Sequence, residues 1–309
     1  MIIFPGQGSQ VVGMGKDLFD NFTSAKNIFL EVDDALNQKL SDIIFNGSEA
    51  DLTLTENTQP ALMAVSMAVL TVLKQEAGVS IADYHYAAGH SLGEYSALCA
   101  SGVFSLADTA RLLKIRGQAM QQAVPVGVGA MAAILGLSFD DVVALAKQAA
   151  GSQVCEAAND NTQGQVVVSG HKEAIDRITI LAKEAGAKRV VLLPVSAPFH
   201  CSLMQPAAEK MAEALEAVTM HTATLPIIAN VLVTPISEPS AIKQALIAQV
   251  TGRVRWRETM QWAIDNDITQ INEIGAGKVL STLCKRAIKT AQVCAIGSLD
   301  DIKAFQVNA

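Results

Sequence analysis

Ser91 stands in the pattern with the clearest chemical meaning in this sequence, GHSLG at positions 89–93. Glycine on each side of the serine allows a sharp turn without a Cβ clash, and an apolar segment precedes the pattern while helix-forming residues follow it. A serine held between a strand and a helix presents its hydroxyl at the helix N-terminus, where the helix dipole stabilises developing negative charge. The pattern therefore predicts a nucleophilic serine. An ordinary glycine turn is the alternative, which the strand and helix context disfavours.

A serine nucleophile needs a general base, most often a histidine. Of the five histidines in the chain, His90 adjoins Ser91, but we expect its side chain to leave the turn in another direction. His200 lies just after the segment 125–196, whose pattern of strands and helices differs from that of the rest of the chain. This makes His200 the candidate base, although position alone slightly favours a structural loop histidine. No Asp or Glu is an obvious partner to orient it. The remaining histidines are expected away from the turn: His85, His171 and His221.

The composition limits the classes of protein in which such a serine and histidine could act. Half of the 309 residues are hydrophobic and 17% are charged, which is typical of a globular protein. The net charge of -7 and the pI near 5.3 argue against a nucleic-acid surface. Five scattered cysteines without a CxxC pair indicate reduced thiols. The N-terminus lacks a signal-peptide pattern, and no apolar run reaches the roughly 18 residues that span a bilayer. We therefore expect a soluble cytoplasmic protein without nucleic-acid or membrane partners.

Strands that alternate with helices must position these residues. The apolar run 2–4 predicts a strand that enters the glycine-rich loop PGQGSQ at 5–10, and Ser105 is a good N-cap for a helix over 105–123. Alternation of this kind implies a mostly parallel sheet covered on both faces. Further helices are predicted at 24–33, 57–76, 91–101, 201–219, 240–250, 257–266 and 278–290, and further strands at 86–89, 227–230, 270–274 and 293–296.

The middle of the chain predicts a separate unit. Its elements follow the order βαββαβ, which is the ferredoxin-like arrangement, and Pro and Gly residues punctuate both of its ends. We therefore predict a large domain at 1–124 and 197–309 that a small domain at 125–196 interrupts. The predicted elements are strands 130–135, 154–158, 165–169 and 188–193 and helices 139–150 and 172–185, with Asn159-Asp160-Asn161 and Ser169-Gly170 as turns.

A family resemblance rests on motifs that occur in one order along the chain: FPGQGSQ at 4–10, GHSLGEY at 89–95, Arg116-Gly117, and APFH at 197–200. In these motifs and their approximate spacing, the whole chain resembles malonyl-CoA:acyl carrier protein transacylases. We expect an α/β-hydrolase-like large domain, a ferredoxin-like small domain, and an acyl site in the crevice between them.

The resemblance implies a ping-pong transfer of a malonyl group through Ser91, with His200 as the base and Arg116 as the residue that binds the malonyl carboxylate. It also places Gln7 in the loop that forms the oxyanion hole. The residue after the nucleophile commonly supplies a second N–H group, so the backbone N–H groups of Leu92 and Gln7 are the expected donors.

Some of these roles have plain structural alternatives. Arg116 could be a helix-surface residue whose stem packs and whose head reaches water; the resemblance favours bidentate binding of a carboxylate, which Lys imitates poorly. The resemblance also implies that a backbone carbonyl near Gln249 orients His200, where the alternative is a surface residue at a helix end. Phe199 resembles a residue that restricts α-substituents of the acyl group, and a core phenylalanine is an equally good interpretation.

The implied partners are malonyl-CoA and acyl carrier protein, and we expect a monomer that needs neither a metal nor a cofactor, since the coenzyme A thioester is a substrate. We expect the reaction to supply fatty acid synthesis. The rival interpretations are an esterase or thioesterase that uses water as the second nucleophile, and a free-standing acyltransferase of polyketide synthesis. A catalytically silent binding module with an incidental serine turn is the least favoured.

Overall fold

The computed structural model describes residues 1–195 and 197–308, and in these ranges the strands form two separate sheets. The larger sheet has six strands in the order β10-β9-β1-β2-β7-β8, and the smaller has four in the order β4-β5-β3-β6. The strands are β1 (Ile2–Phe4), β2 (Ala87–Gly89), β3 (Gly129–Leu135), β4 (Cys155–Thr162), β5 (Gln165–His171), β6 (Arg189–Leu192), β7 (Ile227–Ile228), β8 (Pro235–Ile236), β9 (Gln270–Ile274) and β10 (Gln292–Ile296).

Helices cover the larger sheet and one face of the smaller one. Their bounds are α1 (Lys16–Asn21), α2 (Thr23–Leu36), α3 (Leu40–Asn46), α4 (Glu49–Thr53), α5 (Thr55–Ala77), α6 (Leu92–Ala100), α7 (Leu106–Gln122), α8 (Phe139–Ala150), α9 (Lys172–Glu184), α10 (Gln205–Glu216), α11 (Pro239–Thr251), α12 (Trp256–Asp265), α13 (Val279–Ala287) and α14 (Leu299–Asn308). Short 3₁₀ turns lie at Ile81–Asp83 and Ser202–Met204. None of the helices in the described ranges is long and apolar enough to cross a membrane.

The larger sheet brings two loops of the predicted site to one edge. Strand β1 pairs in parallel with β2, with Phe4 opposite Gly89, and the parallel set continues through β9, β10 and β7. Among the described strands of this sheet, β8 alone runs antiparallel, against β7. Because the carboxyl ends of parallel strands meet at one edge, the glycine-rich loop after Phe4 and the turn after Gly89 become neighbours. The predicted mostly parallel, α/β-hydrolase-like sheet is confirmed.

The smaller sheet confirms the predicted ferredoxin-like unit. Its strands and helices follow one another as β3-α8-β4-β5-α9-β6, all strand pairs are antiparallel, and β3 and β5 lie at the centre. One face packs on α8 and α9 through residues such as Ile134 and Val168. The other face turns Met131 and Val167 into the core shared with the helices of the larger sheet. The domain bounds 1–124, 125–196 and 197–309 remain a prediction, and two of their end points, Ser196 and Ala309, lie outside the described residues.

Two predicted turns are wrong. Asn159, Asp160 and Asn161 lie in β4, and Ser169-Gly170 lies in β5. The polar residues of β4 looked like a turn because a sequence pattern does not show what packs against them. They line the seam between the sheets: β4 has register irregularities there, Asn159 forms a bridge with Val254, and Asp160 pairs with Arg257 at 2.8 Å. The predicted helix over 201–219 is also shorter, since a 3₁₀ turn precedes α10.

Candidate active site

The turn that carries Ser91 is tight and strained. Ser91 has φ 53° and ψ -110°, a region that non-glycine residues seldom occupy and that is enriched at functional sites. A Cβ on Gly89 would lie 1.9 Å from backbone atoms of Gly93, and a Cβ on Gly93 would lie 2.3 Å from the carbonyl oxygen of Phe4. Both flanking glycines are therefore required by the close approach of β1, β2 and the start of α6.

Two amide side chains from distant parts of the chain hold this turn. The backbone N–H of Ser91 donates to Asn230 Oδ1 (2.8 Å), and Asn230 Nδ2 donates to the carbonyl of Gly89 (2.7 Å). Gln249 Nε2 donates to the carbonyl of Ser91 (3.1 Å). Because the Ser91 N–H is engaged, it does not face an incoming carbonyl. The N–H of Leu92, the first residue of α6, has no acceptor within its own helix.

His200 lies beside the serine. Its Nε2 is 2.8 Å from Ser91 Oγ, and its Nδ1 is 2.9 Å from the carbonyl oxygen of Gln249 and 3.1 Å from that of Gly252. Carbonyl oxygens only accept, so Nδ1 carries the proton and Nε2 is left to accept from the serine hydroxyl. Burial, and next the charge of Arg116, lower the pKa of His200 to about 3. The imidazole is therefore neutral near pH 7, as a general base must be.

Arg116 reaches the same point from α7, which begins at the predicted N-cap Ser105, whose hydroxyl accepts from the N–H of Asp108 (3.0 Å). The guanidinium is 1% exposed, and its Nη2 is 3.1 Å from Ser91 Oγ and 2.9 Å from Gln249 Oε1. Its Nη1 donates to Gln59 Oε1 (2.8 Å) on α5. These two helices can lie this close because Gly117 has no Cβ; a Cβ at this position would come within 2.5 Å of the α5 backbone.

The Arg116 guanidinium is a buried cation that no carboxylate contacts directly in the described residues. No carboxylate in residues 1–195 or 197–308 forms an ion pair with it. Its partners are the two neutral amide oxygens, the serine hydroxyl and the ring of Tyr95, whose centroid is 5.6 Å away. A buried charge is costly unless it is compensated, so this guanidinium is suited to an anionic group that arrives with a ligand.

A cavity of about 230 Å³ opens onto these groups. The larger sheet and its helices contribute Gln7, Leu92 and Met120 to the wall, in addition to Ser91, His200 and Arg116. The smaller sheet contributes Met131 and Asn159, and Phe199 lies at the junction, 8% exposed. The crevice expected between the two sheets is therefore present, and it is largely apolar away from the arginine.

The structure brings together every predicted site residue. Ser91, His200 and Arg116 are in direct contact, Gln7, Leu92 and Phe199 line the same cavity, and Gln249 is fully buried between His200 and Arg116. The surface position considered for Arg116 and for Gln249 is therefore wrong. The chemical roles of these residues remain predictions.

Sequence reasoning missed three polar residues that complete the arrangement: Gln59, Glu94 and Asn230. Glu94 was visible within GHSLGEY, but its distance from Ser91 is that of a helix capping box, a local signal. The structure shows no such cap at Ser91; Glu94 instead accepts hydrogen bonds from the backbone N–H of Asn230 (2.9 Å) and from Gln249 Nε2 (2.9 Å). Gln59 and Asn230 carry no distinguishing pattern in the sequence.

The fold, and the arrangement of a serine at a tight strand-to-helix turn beside a histidine, are typical of one class of protein: α/β enzymes of acyl chemistry. The comparisons agree with this class. The model of the acyl transferase domain family matches residues 1–305. Malonyl CoA-acyl carrier protein transacylase of Bacillus subtilis is 43% identical to the chain, over 97% of the chain and 94% of that protein.

Solved structures agree in fold as well as in sequence. The acyl-carrier-protein-S-malonyltransferase of Bartonella henselae is 53% identical, with a TM-score of 0.96 over 99% of this chain and 98% of that one. A malonyl-transacylase in complex with a type II polyketide synthase acyl carrier protein is 40% identical, with a TM-score of 0.96 over 100% of this chain and 99% of that one. The chain belongs to the malonyl-CoA:acyl carrier protein transacylase family of acyl transferases.

Proposed function

We propose that this protein transfers a malonyl group from malonyl-CoA to the thiol of an acyl carrier protein through a malonyl ester of Ser91, in supply of fatty acid synthesis. One observation carries the proposal: a buried guanidinium that forms no ion pair within the described residues lies 3.1 Å from Ser91 Oγ. An acyl group that ends in a carboxylate supplies the missing negative charge close to its own reacting carbonyl, and Arg can bind that carboxylate with two parallel hydrogen bonds.

In the first half-reaction, Ser91 Oγ attacks the thioester carbonyl while its proton passes to His200 Nε2, 2.8 Å away. The carbonyl oxygen becomes an oxyanion, for which we assign the backbone N–H groups of Leu92 and Gln7 as donors. Loss of one such donor typically costs about 3 kcal/mol of transition-state stabilisation. When the C–S bond breaks, His200 returns the proton to the departing thiolate, which leaves free coenzyme A and malonyl-serine.

The second half-reaction reverses these roles. The carrier thiol loses its proton to His200 and attacks the ester carbonyl, and the C–O bond to Ser91 breaks as His200 returns that proton to the serine oxygen. The carbonyls of Gln249 and Gly252 hold the Nδ1 proton throughout, in place of the carboxylate of a conventional triad. In each half-reaction His200 accepts one proton and returns it, and no atom changes its oxidation state. The scheme uses no metal or redox cofactor, since the coenzyme A thioester is itself the substrate.

The same cavity suggests how acyl groups are sorted. Arg116 favours malonyl over acetyl because an acetyl group has no carboxylate to form an ion pair with the guanidinium. Phe199 lies at the cavity wall next to His200 in sequence and restricts the space for an α-substituent, which favours malonyl over methylmalonyl. We further propose a cytoplasmic location, which the five free cysteines support.

Intact-mass measurement after incubation with malonyl-CoA tests the proposal. We expect the mass of one malonyl group to be added and to persist until a carrier thiol is supplied. Ser91→Ala should abolish the addition. Ser96→Ala, which removes another buried serine from the same helix, should retain it.

Rapid release of free malonate without a carrier would instead identify an esterase, in which water is the second nucleophile. Equal use of methylmalonyl-CoA and malonyl-CoA, with transfer to a polyketide carrier alone, would favour the acyltransferase of polyketide synthesis. Absence of any adduct in the folded wild-type protein would refute both transfer schemes.

A further inference from the structure

Glu94 is a buried carboxylate that the mechanism above does not use. It lies in the first turn of α6, is 1% exposed, and forms no ion pair within the described residues. One oxygen, Oε2, accepts both of its observed hydrogen bonds, from the Asn230 backbone N–H and from Gln249 Nε2. Removing a carboxylate from water costs free energy, so a buried carboxylate without an ion pair indicates a specific role.

The two residues bound to Glu94 are those that hold the active site. Asn230 uses its side-chain oxygen for the Ser91 N–H and its side-chain nitrogen for the Gly89 carbonyl. Gln249 uses its side-chain oxygen for Arg116, its side-chain nitrogen for the Ser91 carbonyl, and its backbone oxygen for His200. Nucleophile, base and anion-binding residue are thus each one hydrogen bond away from a residue that Glu94 contacts.

The orientation of the Gln249 amide depends on this contact. An amide can present either its NH₂ or its oxygen to a neighbour, but a carboxylate oxygen facing it can only accept. Glu94 therefore requires the NH₂ of Gln249 on its own side, and this leaves the amide oxygen to face the guanidinium of Arg116. A reversed amide would place an NH₂ group against that cation.

We propose that Glu94 is a positioning residue: by accepting from Gln249 and Asn230 it fixes the amide that aligns Arg116 and the turn that presents Ser91. This inference rests on the proposed malonyl transfer. It assigns the effect to the reach and the accepting oxygen of the side chain, not to its negative charge.

A role based on charge is the alternative, and it fits the observations less well. Arg116 contributes to the electrostatics of Glu94, but burial dominates and raises the pKa of Glu94 to about 7. The carboxyl group is therefore partly protonated at neutral pH. When the proton is on the other oxygen, Oε2 still accepts, so both protonation states can orient Gln249.

Two conservative variants separate the effect of the side-chain length of Glu94 from the effect of its negative charge. E94Q keeps the length of the side chain and an accepting oxygen but loses the charge; E94D keeps the charge but draws the carboxylate back by one methylene. The readout is the rate of Ser91 acylation by malonyl-CoA and by acetyl-CoA, at saturating and at low substrate. We expect E94Q to react within about threefold of the wild-type rate, and E94D roughly 10- to 100-fold more slowly, as expected for the loss of two buried hydrogen bonds.

The malonyl-to-acetyl preference should fall in E94D, because Arg116 loses its alignment. A matched control is Glu273, another fully buried carboxylate, which accepts from the backbone N–H groups of Leu280 (3.1 Å) and Ser281 (2.6 Å) on α13. E273D should lower the melting temperature without changing that preference.

A double-mutant cycle tests whether Glu94 acts through Gln249. Q249A removes the amide but keeps the backbone carbonyl that binds His200, so E94D should slow acylation by Q249A much less than it slows the wild type. Wild-type activity in folded E94D, an equal loss in E94Q and E94D, or full additivity with Q249A would each overturn the inference. If E94D does not fold, E94Q decides: loss of acylation in folded E94Q refutes the role of the accepting oxygen. The absence of malonyl-serine in the wild type would instead mark failure of the proposed function.

Discussion

Removal of the Arg116 guanidinium gives the sharpest test of how this site selects its acyl group. Arg116→Ala takes away a cation that is 1% exposed and that lies 3.1 Å from Ser91 Oγ. It also leaves the amide oxygens of Gln59 and Gln249 without their donor. The direct effect falls on substrates that carry a carboxylate, since an acetyl group has nothing to offer the guanidinium.

The magnitude follows from the burial. Opposite charges about 4 Å apart attract by about 4 kcal/mol at an effective dielectric constant near 20, which suits a cleft that is only partly dry. Water that enters the space left by the side chain recovers part of this energy. We therefore expect kcat/KM for malonyl-CoA to fall roughly 100- to 1,000-fold, at about 1.4 kcal/mol for each factor of ten.

The assay is single-turnover acylation of Ser91 by malonyl-CoA and by acetyl-CoA, followed by intact mass. The malonyl-to-acetyl preference should fall by a similar factor, and R116K should recover only a part because an ammonium lacks the planar fork. R111A is the control, since Arg111 lies on the same helix with its side chain 53% exposed and pairs with Asp108. A malonyl-to-acetyl preference in R116A equal to that of the wild type would refute the proposed role of Arg116.

Two further predictions concern Glu94 and Phe199. Burial raises the pKa of Glu94 from 4.5 to about 7, so the folded state binds this proton more tightly than the unfolded state does. The stability that Glu94 contributes is thus fully present below about pH 4.5 and is lost as the pH rises through about 7, by about 3 kcal/mol in all. In denaturant unfolding, the free energy of unfolding of E94Q relative to that of the wild type should increase by this amount between those two pH values. A difference that does not depend on pH would contradict the prediction. Phe199→Ala enlarges the cavity beside His200 and should raise the methylmalonyl-to-malonyl ratio of kcat/KM in a competition assay, and an unchanged ratio would leave Phe199 with a packing role alone.

Much of the fold could be read from local patterns. The ferredoxin-like unit was predictable because its order of strands and helices follows from short apolar runs and amphipathic segments, and the helix start at Ser105 because an N-cap acts within one turn. The same holds for Gly89 and Gly93, whose spacing around Ser91 reflects a backbone too close for any Cβ. The prediction of a turn at 159–161 is wrong because the partners of this polar segment lie elsewhere in the chain, at Val254, Arg257 and His90.

What the sequence by itself determined is the chemistry: a serine between glycines, a histidine and an arginine in motifs that resemble one family. What only the tertiary structure decided is how these groups are held. Gln249 and Asn230 are far from Ser91 along the chain, and an isolated amide has no preferred partner, so their roles arise only when α11 and the loop after β7 close on the turn. The distinction has a physical reason: backbone constraints act between neighbours and leave a pattern, whereas hydrogen bonds between distant side chains exist only once packing has brought them together and excluded water.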